Sequence, residues 1–199
     1  MVTPEDRAMK VITETGIARS RDLERAGISR TQIRRLVDQK VIERVGRGLY
    51  RRPEDPLTEK SDLAHAARLV PEGVICLLSA LRFQGLSTQN PFEVWMAIDR
   101  SSWRPRAQHP PLRIIYLSGD TLSEGVEEHN AEGVQLRVFS AAKTVADCFK
   151  FRNKIGTDVA VEALRDYRRT YPKRLDELWR FAEIDRVTRV MRPYLEAVL

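Results

Sequence analysis

Cysteine, histidine and long apolar runs are all scarce in this chain, and each scarcity closes off a class of protein. Two cysteines in 199 residues, Cys76 and Cys148, stand far apart in the apolar settings Val-Ile-Cys-Leu-Leu and Ala-Asp-Cys-Phe. They are too few for a disulfide scaffold. The expectation is two buried, reduced thiols and a cytoplasmic protein. The three histidines, His65, His109 and His129, are isolated, and neither Cys-x-x-Cys nor His-Glu-x-x-His occurs. No metal site and no cofactor are therefore expected. The glycines of Gly46-Arg-Gly48 lack the Lys-Ser/Thr ending of a phosphate loop. A Gly-Ser followed by paired aspartates, the mark of a nucleotidyltransferase, is also missing. No apolar run is longer than residues 74–78, far short of the ~20 residues that span a bilayer. The opening Val2-Thr-Pro-Glu-Asp-Arg has no apolar stretch and is not expected to act as a signal peptide.

What is present is positive charge, unevenly placed. The formal net charge is +6, and residues 1–52 hold 13 Lys/Arg against 7 Asp/Glu. The other 147 residues hold 21 of each sign, so the whole excess lies at one end. A positive field confined in this way suits a surface that meets polyphosphate. Hydrophobic residues make up 42% of the chain, enough for a folded core.

The same basic stretch has a legible local pattern. Residues 5–15, after Pro4, put Ala8, Met9, Val11 and Ile12 on one side of a first helix that ends at Gly16. Ser20 is placed to cap a second helix running to Ala26, and Gly27 breaks it. Ser29-Arg-Thr-Gln32 is a capping box that opens a third helix, in which Ile33, Leu36 and Val37 form the buried stripe. Residues 40–45 and 49–51 read as two short strands joined by Gly46-Arg47-Gly48. Three helices and a basic hairpin spell a winged helix-turn-helix over residues 1–52. Pro53-Glu-Asp-Pro56 marks a boundary, and residues 59–199 form a second domain.

In that second domain residues 57–69 read as helical, and Ala80 to Gln84 as a short helix. Residues 92–98, 112–117 and 134–139 read as strands. Ser140 caps a helix through Phe151, and three more helices follow over 157–199. The fold class expected is α+β: a winged helix-turn-helix, then a small sheet wrapped by helices, with a helical C-terminus.

The third helix is the expected reader of double-stranded DNA. Its face opposite the buried stripe is centred on Thr31, Arg35 and Asp38, flanked by Gln32, Arg34 and Gln39. Arginine can fork onto guanine and glutamine can pair with adenine, while Ser29 and Arg30 at the helix start can receive a phosphate. Arg44, Arg47, Arg51 and Arg52 are the expected wing contacts to phosphate or minor groove. Trp103, Arg104 and Arg106, in a loop between two strands, are the candidates for a secondary contact, against the reading of a solvated loop. The competing reading of these arginines is a solvated face on a protein-interaction module.

Residues 1–52 resemble the N-terminal winged helix of AbiEi-type antitoxins of type IV toxin–antitoxin systems. Two later segments are similar to that family as well. Leu78-Ser-Ala-Leu-Arg-Phe-Gln-Gly85-Leu86 looks like its short helix ending in Gly-Leu. Val138-Phe-Ser-Ala-Ala-Lys-Thr-Val-Ala-Asp147 looks like its strand-to-helix segment, with Ala141-Ala142-Lys143 where the family has Pro-Glu-Arg and with Thr144 and Asp147 kept. The resemblance implies a repressor that binds operator DNA, an antitoxin-type C-terminal domain, and a nucleotidyltransferase-like toxin as counterpart, met directly or only functionally. A stand-alone winged-helix regulator is the alternative. A winged-helix-guided nuclease is a third reading, for which Asp99 ends one strand, but residues 112–117 supply no Asp/Glu-x-Lys for a metal. No residue is put forward as catalytic. Asp147 lies four residues after Lys143 and three before Lys150, so an ion pair is its expected role. Trp95, Trp103 and Trp179 are read as core or surface residues in preference to a ligand box.

Overall fold

The computed structural model describes residues 2–54, 60–105 and 110–197. The chain divides into two compact units. One comprises Met1–Pro71, Pro105–Pro110 and Asn130–Leu136, the other Glu72–Arg104, Pro111–His129 and Arg137–Leu199. The fold class is α+β, as the patterning implies.

In the first unit the order is α1 (Pro4–Thr15), β1 (Ala18–Arg19), α2 (Ser20–Arg25), α3 (Arg30–Asp38), β2 (Glu43–Gly46), β3 (Leu49–Arg51) and α4 (Ser61–Leu69). Helix α1 starts on a capping box: Thr3 Oγ1 accepts from Asp6 N at 3.1 Å, and Asp6 Oδ2 accepts from Thr3 N at 2.9 Å. Ser20 is the first helical residue of α2, and Arg19 takes the cap position expected for Ser20. Its N–H donates to Asp22 Oδ2 at 2.9 Å, so an acid inside the helix satisfies the group that a capping serine would leave to others.

Ala8, Ile12, Leu23, Ile28, Ile33, Leu36 and Ile42 are all buried and form one cluster beneath α1, α2 and α3. Each of the leucines and isoleucines contributes about 1.5–3 kcal/mol when fully buried. The three strands run antiparallel in the order β1-β3-β2. Strand β2 begins at Glu43, later than the expected residue 40. Lys40 has φ 58°, and the N–H groups of Val41 and Ile42 donate back to Leu36 O at 2.9 and 3.4 Å, closing α3 before the strand can start. Gly16 has φ 64°, and a Cβ there would lie 1.5 Å from Glu132 O, so only glycine fits. Helix α4 is tied to this bundle through Arg68, whose Nε donates to Ile17 O at 2.6 Å and whose Nη2 meets Asp22 Oδ2 at 2.8 Å. Arg19 in turn donates to Arg68 O. Residues 57–59 of the helix expected over 57–69 lie outside the described residues.

The second unit holds β4 (Val74–Ile75), α5 (Leu77–Gln84), β5 (Val94–Asp99), β6 (Leu112–Leu117), α6 (Asp120–Ser123), β7 (Val126–Ala131), β8 (Val134–Phe139), α7 (Ala141–Lys150), α8 (Arg152–Ile155), α9 (Thr157–Thr170), α10 (Leu175–Ile184) and α11 (Thr188–Ala197). The tip of the β7–β8 hairpin is counted with the first unit. Strand order is β6-β5-β4-β8-β7, with β5 parallel to β6 and antiparallel to β4, and β4 parallel to β8. Trp95, Ala97, Ile115 and Leu117 on one sheet face pack with Leu81, Val145, Phe149, Leu164, Phe181 and Met191 from the helices. Helix α5 starts three residues earlier than expected, at Leu77, directly after the sheet strand.

Helix α7 is buried from Ala142 through Phe149 and starts on Ser140, whose Oγ accepts from Lys143 N at 3.3 Å. Lys143 and Asp147 have 0% and 1% of their side chains exposed and meet at 2.5 Å. Lys143 Nζ also lies 3.3 Å from Asp185 Oδ2, and Lys150 pairs with Asp185 at 3.1 Å. Burial pushes the Asp147 carboxyl up to about 8, against the pull of Lys143 and with the push of Asp185. Both cysteines are free and buried, and burial moves both thiols well up. Trp95 is core, Trp179 is half-buried and Trp103 is 96% exposed. No described helix is long and apolar enough to cross a membrane.

Candidate nucleic-acid interface

Helix α3 is built by its own sequence. Gln32 N donates to Ser29 Oγ at 3.3 Å and Ser29 N donates to Gln32 Oε1 at 2.8 Å, a closed capping box. Ile33 and Leu36 are buried and Val37 is half-buried, which turns Thr31, Arg34, Arg35, Asp38 and Gln39 outward. Gln32 was expected on the outer face, but the cap holds its amide and leaves it half-buried.

The wing rises beside this helix. A register shift between Arg44 and Gly46 bulges β2, and Gly48, at φ 71°, turns the chain into β3. Arg47 is thereby exposed at the tip. Between α3 and the wing lies a groove of about 770 Å³. Arg30, Arg34, Arg44 and Arg47 line it together with Asp38, over a floor of Ile33, Val37 and Tyr50. Residues from both halves of the expected interface thus share one concave surface.

The arginines differ in how they are held. Arg30 Nε pairs with Glu24 at 2.7 Å. Arg51 places Nε and Nη2 at 3.2 and 3.0 Å from one oxygen of Glu43. Arg44 Nε donates to Gly46 O at 3.1 Å. Arg34, Arg35 and Arg47 make no ion pair among the described residues. These three carry their full charge to whatever approaches. Arg51 and Arg52 are half-buried on or beside β3, and Ser29 is exposed at the start of α3. Thr31, Arg35 and Gln39 face solvent on α3 outside the groove lining. Trp103 and Arg104 are exposed in the second unit, and Arg106 lies outside the described residues. Ser20 and Tyr50 also line the groove; Ser20 was expected only as a helix cap, and neither was expected at the interface. Tyr50 closes the wing, and its place opposite Ala18 depends on a strand of only two residues.

The second unit offers no comparable arrangement. Asp99 spends its carboxylate on Ser101, accepting from N at 2.8 Å and Oγ at 2.5 Å. Among the described residues no group of three or more His, Cys, Asp or Glu is placed to hold a metal ion.

Three helices, a helix-turn-helix whose last member faces a two-stranded arginine-tipped hairpin, and a short third strand define a winged helix-turn-helix. Residues 7–53, nearly the whole of it, match the model of the family described as transcriptional regulator, AbiEi antitoxin. The winged helix of this chain is therefore similar to that family, and the resemblance drawn from residues 1–52 is found there. No curated protein matches the chain.

Proposed function

We propose that this chain is a sequence-specific DNA-binding antitoxin that represses its own operon and counteracts a nucleotidyltransferase-like toxin in the cytoplasm. The observation that carries the DNA reading is the convergence of Arg34, Arg44 and Arg47 on one groove, none of them in an ion pair among the described residues. Guanidinium groups left unpaired beside a reader helix release counterions from DNA when they meet phosphate. Ser29, Arg30, Thr31, Arg34, Arg35 and Gln39 are assigned to the helix contact, with Gln32 holding the helix start through its cap, and Arg44, Arg47, Arg51 and Arg52 to the wing. Trp103 and Arg104 are assigned to a secondary contact. Residues 1–52 serve the reading of DNA and 59–199 the antitoxin role, in which the chain acts without chemistry of its own.

The test is a titration of the full chain against the DNA upstream of its own gene and against random duplex, at several salt concentrations. The operator should bind more tightly at every concentration, and log affinity should fall linearly with log salt. Equal binding to both would reject sequence-specific repression. Co-expression with the adjacent toxin frame tests the second half. A full-length Arg34→Ala/Arg35→Ala variant should lose operator binding yet still restore growth, and loss of rescue would tie neutralisation to DNA.

A further inference from the structure

Asp38 is an acid in the wrong place for every role but one. It ends α3, where the helix macrodipole is negative and disfavours a carboxylate. It lines a groove whose other charged members, Arg30, Arg34, Arg44 and Arg47, are all cations. A phosphate entering that groove meets repulsion from it. It stands four residues after Arg34, the spacing at which an ion pair could offset these costs, yet neither makes one among the described residues. Nor does its side chain accept any hydrogen bond there. Helix stability and phosphate affinity both argue against an aspartate at this position.

A base edge removes the conflict. The nine residues of α3 span about 13 Å, close to the ~12 Å width of the major groove. Arg34 at mid-helix and Asp38 at its end therefore both lie within reach of bases when α3 enters that groove. A carboxylate there accepts from the N4 amino group of cytosine, the one base whose major-groove edge presents a donor alone. We propose that Asp38 is a specificity-determining residue that selects a cytosine in the operator, while Arg34 beside it supplies attraction. This rests on the DNA reading above and goes beyond it by giving the acid a base.

The experiment selects preferred sites for the full chain from a pool of duplexes with randomised centres, then measures affinity for the chosen site, its single-base variants and random duplex. The wild-type chain, Asp38→Ala and Asp38→Asn are compared. The expected result is one C·G pair whose replacement weakens the wild type by about 5- to 150-fold and leaves Asp38→Ala indifferent. Random duplex should bind Asp38→Ala at least as tightly as wild type. Asp38→Asn should move the preference at that position toward adenine, which an amide can pair in bidentate fashion. A uniform gain of Asp38→Ala on every sequence, with no preference lost, would make the residue a mere brake on phosphate binding and overturn the proposal. Failure of the wild-type chain to enrich any site would instead overturn the DNA reading itself.

Discussion

Helix α3 carries Arg34, Arg35 and Asp38 in solvent without an ion pair among the described residues, whereas helix α7 carries Lys143 and Asp147 buried and 2.5 Å apart. Both helices start on a serine cap and both are amphipathic. They differ in what charge costs. On α3 a charge remains hydrated until a ligand removes its water, so holding it unpaired is cheap. On α7 a charge without a partner would face desolvation of several kcal/mol, and so Lys143 is given two carboxylates. The lesson is a separation of roles: substitutions on α3 should move DNA binding and leave the fold alone, and those on α7 should do the reverse.

The hardest blow to that contrast is Lys143→Met. Removing the ammonium leaves Asp147 and Asp185 facing each other around an empty centre, and a broken buried pair costs about 3–5 kcal/mol. Chemical unfolding of the full chain should show that loss. A change below 1 kcal/mol would mean that water reaches the cluster.

Next comes pH. Burial raises the Asp147 carboxyl to about 8, above its ordinary value of 3.8. The stability tied to its protonated form is therefore complete below the ordinary value and is lost as pH rises through about 8. The melting temperature should fall between pH 5 and pH 9, and Asp147→Asn should flatten that fall. Equal slopes in both proteins would show that Lys143 dominates and that Asp147 stays ionised throughout.

On α3 the effects should be smaller and of another kind. Arg35→Ala should cost about 1–3 kcal/mol on operator DNA and narrow the gap to random duplex. Arg47→Ala should weaken both equally and lower the salt slope by about one unit. Both variants should unfold as the parent does. An unchanged operator-to-random ratio for Arg35→Ala would remove α3 as the reader. The smallest change belongs to Ser29→Ala, which opens the capping box at a cost of about 1 kcal/mol in stability. It should soften the contrast, because one residue there serves helix and interface together.

What could be foreseen follows the range of the forces involved. The capping box of α3, its buried stripe and the Gly46-Arg47-Gly48 turn are local, and all stand where the pattern placed them. So does the Lys143–Asp147 pair, four residues apart. Strand β1 was missed because two residues become a strand only by pairing with Leu49 and Tyr50. Strand β7 was missed because Val-Glu-Glu-His-Asn-Ala is too polar to show alternation. Asp185 joins the buried cluster across 42 residues of chain, and no spacing rule reaches that far. The groove between α3 and the wing was legible in its arginines but not in Tyr50, which depends on β1 for its position.

Strand β6 closes one side of the five-stranded sheet, and no described strand covers its outer edge. Its sequence, Leu-Arg-Ile-Ile-Tyr-Leu, is six residues of high β-propensity with a single charge. Edges of this kind recruit other chains into intermolecular ladders. Arg113 is that charge, exposed, held at 2.7 Å by Glu93 and laid over the Trp95 ring at 5.5 Å. It acts as a gatekeeper, since a second chain adding in register would bring like charges together and bury them. The colloidal behaviour of the protein at high concentration therefore hangs on one side chain of the second unit, and neutralising it should make the chain precipitate more readily.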